Sequence, residues 1–307
     1  MFFPVLFSII SLSILMGFGF VGRKVGMIND TVSDGLSGIL VNIAMPSFII
    51  VSMQQEFSIE LLQDGGIVFV IFVAAHLLLA ALAEVLARVF KIPHARKGVF
   101  LFALTFGNVG FMGTPVVGPL FGDAGLFYIT ITNVVFCLLV PLLGMRQIRV
   151  SVAIPDAPPQ KRRLKINMPF LSAIVGMALF LTSTMLPGPV YTAIRHASNS
   201  MMPISMIAIG GMIAKMNMRM IFSDKGIFVL SGIKLLILPI IFAFVLRLFI
   251  SDPVIIGVVV CLLAMPAPTL LAIFAEQQKT APDYATSVVL ISTVLSLLTL
   301  PIVSLFL

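Results

Sequence analysis

Charge is what this sequence has least of. Lys, Arg, Asp and Glu make up 10% of its 307 residues, against roughly a quarter in soluble globular domains, which excludes a sizeable water-exposed domain. Catalytic signatures are missing too: there is no HExxH, no GxSxG and no Walker loop, and His76, His94 and His196 are far apart in sequence. The chain reads as a non-enzyme that needs no cofactor. Its two cysteines, Cys137 and Cys261, both sit in apolar runs, so they build neither a disulfide framework nor a thiolate metal site and read as small buried hydrophobes. No basic face with interleaved aromatics accompanies the net charge of +7, which excludes nucleic acid as a partner. The opening MFFPVLFSII has no basic n-region and no small-residue cleavage site, so the first apolar run is expected to be retained.

Apolar residues supply the rest, 60% of the chain, with a mean hydropathy of +1.17. The partner this implies is a lipid bilayer. A crossing takes about 20 apolar residues, and reading the runs against Gly, Pro and charge predicts ten spans: 3–22, 34–53, 65–87, 98–119, 124–145, 168–187, 197–215, 226–250, 253–274 and 283–305. One alternating set of loops holds 16 of the Lys and Arg residues and the opposite set holds Arg195 and Arg247. Basic loops stay cytoplasmic, so both termini are expected outside a cell membrane.

The one linker-like stretch is 147–167, basic and proline-containing, which divides the chain into 1–146 and 168–307 with five spans each. An odd number of spans forces the second half into the membrane from the other side, so two similar halves form an inverted repeat. Traces of similarity are present. His76 precedes Asn108 by 32 residues, and Lys234 precedes Pro266 by the same interval.

Span 4 contains GNVGFMGTP at 107–115 and span 9 contains AMPAPT at 264–269. Gly107, Asn108, Gly110, Gly113 and Pro115 cannot maintain a regular helix, and freed backbone groups in hydrocarbon cost several kcal/mol each unless something satisfies them. Thr114 before Pro115 reads as a cap restarting a half-helix at mid-depth; Pro266, Pro268 and Thr269 do the same in span 9. Two such starts aim two positive helix ends at one point, which is an anion site. Isolated prolines such as Pro46, Pro203, Pro239 and Pro301 read only as kinks. Among ionisable groups within spans, Glu84 reads as a snorkelling partner of Arg88. Lys234 is a source of positive charge beside the half-helices, and His76 is a candidate proton carrier or a packed interhelical histidine. The methionines around span 7, Met201, Met202, Met206 and Met212, read as flexible packing.

The segments GNVGFMGTPVVGPLFGDAGLFYITITN at 107–133, IKLLILP at 233–239 and AMPAPTLLAIFAE at 264–276 together resemble the auxin efflux carrier family, which includes plant PIN carriers and bacterial organic-acid permeases. The resemblance implies an all-α fold of ten helices as two inverted five-helix repeats. Spans 1, 2, 6 and 7 then form a scaffold, and spans 3–5 and 8–10 a transport unit with crossed, broken helices 4 and 9. By the same resemblance a substrate carboxylate sits near Asn108, Pro115 and Pro266. Two departures stand out: His76 replaces a carboxylate of the plant carriers, and the domain between halves shrinks to about 20 residues. Auxin specificity is therefore not carried over, and the bacterial-sized members look like carriers of small carboxylates such as malate or malonate. The expectation is a secondary carrier of a small organic anion working by alternating access, with a homodimer through the scaffold left open. A sodium-coupled symporter of the bile-acid carrier type is the alternative within transport, disfavoured because Asn108 stands almost alone as an amide near the breaks. A membrane ligand sensor that moves nothing is the alternative outside it.

Overall fold

The computed structural model describes residues 2–151, 168–214 and 224–307, with side chains from residue 6. The predicted linker lies outside the described residues from 152 onward, as does the end of span 7 at 215. No strand occurs among the described residues. Among the described residues seven helices are long and apolar enough to cross a membrane, and two shorter apolar helices, Met168–Leu181 and Pro253–Leu263, accompany them. The chain is a multi-pass membrane protein.

In chain order the helices are α1 (Phe2–Lys24), α2 (Asp30–Ser52) and α3 (Ile59–Val89), α4 (His94–Thr105), α5 (109–121) and α6 (123–149). They continue as α7 (Met168–Leu181), α8 (Gly188–Asn199), α9 (Met201–Ala214) and α10 (Lys225–Leu246). The last three are α11 (Pro253–Leu263), α12 (Leu270–Gln277) and α13 (Pro282–Ser304). The apolar stretch His94–Arg149 has 56 residues, which as one rod would reach roughly 84 Å at 1.5 Å per residue. It is interrupted at 106–108 and folds back at Gly122, whose φ of 59° and ψ of −148° suit a residue without Cβ.

Several boundaries differ from the sequence reading, each for a local reason. Span 2 starts at Asp30 because Asn29 accepts a hydrogen bond from the Val32 amide at 2.9 Å, turning a polar stretch into a capped helix. Span 6 ends at Leu181. Residues 188–196, polar enough to read as loop, are helical in α8, because a hydropathy window does not register an amphipathic helix. Wide turns at Leu40–Ala44, Val109–Gly113, Val140–Gly144 and Ile233–Ile237 interrupt the regular ladder; such π-bulges often mark functional sites.

Small residues fix the closest packing. A methyl on Gly19 of α1 would overlap the Ile207 carbonyl of α9, and one on Gly210 of α9 would overlap the Met16 carbonyl of α1, so these helices meet backbone to backbone. Likewise α7 packs on the second half of α2, where a methyl on Gly176 would lie 3.1 Å from Met53 Cγ. At one end of the bundle Glu84 accepts from Lys97 at 2.6 Å and Arg88 at 3.3 Å. There Arg96 also bonds Asp224 at 2.6 Å and stands 4.8 Å over the Tyr284 ring.

Candidate functional site

The two interrupted stretches meet. The Asn108 amide donates to the Pro266 carbonyl at 2.8 Å, joining the gap between α4 and α5 to the gap between α11 and α12. A methyl on Gly107 would lie 3.1 Å from Leu262 O and 3.3 Å from Met265 Cβ, so the crossing is tight around this glycine. The second gap is tied down by α13, where Ser292 Oγ accepts from the Ala267 amide at 3.1 Å. Residues 106–109 and 264–268 are buried.

The first gap lies earlier than the sequence suggests. Asn108, with φ of −79° and ψ of 62°, immediately precedes the restart at Val109, and its carbonyl accepts from Met112 at 3.1 Å and Gly113 at 3.2 Å. Thr114 is therefore not the cap that its place before Pro115 implied; its hydroxyl donates back to the Gly110 carbonyl at 3.2 Å. Gly110 and Gly113 lie within the wide turn, where a methyl would meet Met45 Cε at 3.0 Å and Leu262 Cδ2 at 2.6 Å respectively. In the second gap the helix restarts at Leu270, after Pro268 and Thr269. The first amides of α5 have no helical carbonyl one turn behind them, whereas at the start of α12 Leu271 and Ala272 donate to the Pro268 and Thr269 carbonyls at 2.9 and 3.2 Å; each start carries about half a positive charge.

A cavity of about 660 Å³ leads to these two starts. Phe111 from one and Thr269 with Leu270 from the other form its inner end; Ser37, Ser205 and Leu290 stand on its walls; and its rim carries Arg23, Asp30, Asp34, Glu276 and Asp283. Arg23 bonds Asp30 at 2.6 Å. Four carboxylates against one guanidinium make the rim acidic, a potential that lowers the local concentration of multiply charged anions, whereas the attraction for negative charge lies at the inner end. At the opposite end of the bundle the helices close together. The Ser52 and Thr130 hydroxyls bond, Gln55 donates to the Asp123 carbonyl at 3.0 Å, and the Phe127 ring lies 5.0 Å from Phe180.

Of the sequence candidates, Thr269 reaches the cavity wall and Asn108, Pro266 and Gly113 meet at the crossing. Lys234 and His76 stand behind it. Lys234 is 3% exposed and its Nζ donates to Leu104 O at 3.4 Å, so its charge serves the carbonyl end of α4, which is the negative end of that helix. His76 Nδ1 donates to Phe72 O at 2.7 Å, and its ring packs between Phe72 and Phe106, 4.5 and 5.3 Å away. Phe106 opens the first gap, so the histidine braces it. Two features escaped the sequence reading. Asn133 on α6 lies beside Gly110, with Oδ1 3.6 Å from where a methyl would stand, and the buried Nδ2 groups of both Asn108 and Asn133 have no partner. The other is the set of wall hydroxyls, Ser205 among them, whose only sequence signal is a polar residue in an apolar run.

Comparison with known proteins gives the family. Residues 4–304 match the family model described as membrane transport protein. An uncharacterized transporter of Methanothermobacter thermautotrophicus is 25% identical over 300 residues, 96% of each chain. The uncharacterized transporter MJ1031 of Methanocaldococcus jannaschii is 24% identical over 206 residues, 64% of this chain and 65% of its own. The chain thus belongs to the membrane transport protein family, that of the auxin efflux carriers.

Proposed function

We propose that the protein is a secondary carrier of a small organic anion, of the bacterial organic-acid permease kind, working by alternating access. The observation that carries this reading is the cavity that ends at Phe111 and Thr269, where two half-helices start. Helix starts present unpaired N–H groups and partial positive charge to a carboxylate. The side-chain Nδ2 of Asn108, buried and unpartnered, supplies a further donor at the crossing.

The reading extends to ten spans in two inverted repeats. The pairing of α1 with α9 and of α7 with α2 is what exchange of the halves requires, and the two gaps occupy corresponding places. Spans 1, 2, 6 and 7 act as scaffold, and spans 3–5 and 8–10 move as a transport unit past the Ser52–Thr130 and Phe127–Phe180 contacts. The arrangement is the inward-open state, with the cavity on the side of the basic loops and both termini outside the cell membrane. The acidic rim favours singly charged carboxylates, auxin-like in charge, over dianions such as malate and malonate.

Uptake of radiolabelled mono- and dicarboxylates into proteoliposomes tests this. Saturable uptake of a carboxylate, blocked in Asn108→Leu, is the expected result; carboxylate binding without uptake would establish a sensor instead. Asn133 beside Gly110 adds an amide oxygen where sequence alone placed almost none, so a sodium-coupled reading is tested in the same vesicles by replacing sodium with choline. Loss of a pH-gradient response in His76→Gln would assign proton coupling to His76.

A further inference from the structure

A second cavity, about 190 Å³, opens on the lipid-facing surface between α3, α6 and α7. Leu62, Gly66 and Phe69 form one wall, Phe127 and Ile131 the second, and Met177 the third. The neighbouring surface of α3 is apolar and open, with Ile67 40% and Val70 64% exposed. Gly66 has nothing within 4 Å of the position a methyl would take, so the groove exists because that residue has no side chain. Nothing in this lining can hold water by hydrogen bonds, and an empty groove forfeits dispersion contacts along its walls; dry apolar cavities of about 150 Å³ take up benzene-sized ligands.

All three walls lie at one end of their helices. Leu62 to Phe69 are within roughly 16 Å of the start of α3 at 1.5 Å per residue, Phe127 and Ile131 follow the fold-back at Gly122, and Met177 is one turn from the end of α7. That depth is reached by the upper methylenes of a phospholipid. The same end carries Glu56, Glu60, Asp64 and Asp123, and no Lys or Arg occurs in 25–87, 98–145 or 166–194. A headgroup with an ammonium complements that field and an anionic one does not.

We propose that this groove is a binding site for one acyl chain of an amine-bearing phospholipid, such as phosphatidylethanolamine, lodged between α3 and α6 on one side and α7 on the other. Because α7 belongs to the proposed scaffold and α3 and α6 to the proposed moving unit, the chain is a removable filler at the sliding boundary.

The protein has no tryptophan, so Phe69→Trp places a single fluorophore on the groove wall and Val70→Trp one on plain lipid-facing surface. Each is reconstituted in phosphatidylcholine vesicles containing the same minor fraction of acyl-brominated phosphatidylethanolamine, phosphatidylglycerol or phosphatidylcholine. At Phe69→Trp the brominated ethanolamine lipid should associate about threefold more strongly than the choline lipid, because its primary ammonium donates N–H bonds to the carboxylates while the methylated ammonium of choline, equally charged, has none to donate. Val70→Trp should show no preference. Gly66→Phe, or Gly66→Leu as the smaller filler, should remove the preference at Phe69→Trp, and Glu56→Gln with Glu60→Gln should reduce it. Equal quenching by the three lipids, or stronger quenching by phosphatidylglycerol, overturns the headgroup assignment. A preference that survives both Gly66 fillers overturns the groove.

Discussion

At the scale of single residues the informative groups are those whose hydrogen-bonding capacity and burial disagree. Asn108 is 4% exposed with an unpartnered Nδ2, and a buried donor without an acceptor costs about 1–3 kcal/mol. Asn108→Leu should therefore abolish carboxylate transport while leaving thermal stability in detergent unchanged or higher; a large loss of stability would make Asn108 a structural brace. Lys234 is the opposite case, buried but bonded to the Leu104 carbonyl. Lys234→Met keeps most of the stem and removes the charge, so it should lower stability by about 1–3 kcal/mol. Because Lys234 is absent from the cavity wall, substrate Kd should stay within about threefold, which a thermal-shift titration measures. Both residues stood out in the sequence as polar groups within apolar runs. The partner of Lys234 did not, since a backbone carbonyl carries no residue signal and Leu104 lies 130 positions away. Asn133 was missed because its approach to Gly110 depends on the fold-back at Gly122.

At the scale of elements the composition of span 4 announced an interruption but did not locate it. Gly110, Gly113 and Pro115 drew the reading toward Thr114, whereas the chain opens at 106–108. The glycines serve contact: Gly113 admits Leu262, and Gly110 admits Met45 and stands beside Asn133. These tertiary approaches are invisible to propensity. Before α12 the prolines Pro266 and Pro268 were the better guide, because a residue without an N–H is suited to the position just before or at a helix start. Gly110→Leu with Gly113→Leu should eliminate both transport and substrate-induced stabilisation, since the new side chains collide with the crossing and displace the start of α5. Pro115→Ala and Pro268→Ala should be milder, losing a preset φ but no hydrogen bond. Parental uptake by the double leucine variant would move the anion site away from α5.

At the scale of the whole molecule, hydropathy was the legible part, because the bilayer imposes it on every crossing at once. The shape of the cavity was not, since its walls come from α2, α9, α12 and α13 and its rim from residues as distant as Arg23 and Asp283. Topology and conformational state can be tested together. In a cysteine-free parent, Ile59→Cys should react with an impermeant maleimide added outside intact cells, and Ala157→Cys only after the inner face is exposed. Ser37→Cys, on the cavity wall, should behave like Ala157→Cys and be protected by a bound carboxylate. Outside labelling of both Ile59→Cys and Ala157→Cys would overturn the proposed sidedness. If those two report opposite faces but Ser37→Cys reacts from outside, the spans stand and the cavity opens outward. The acidic rim would then filter substrate before uptake, and the inward-open assignment would fall with it.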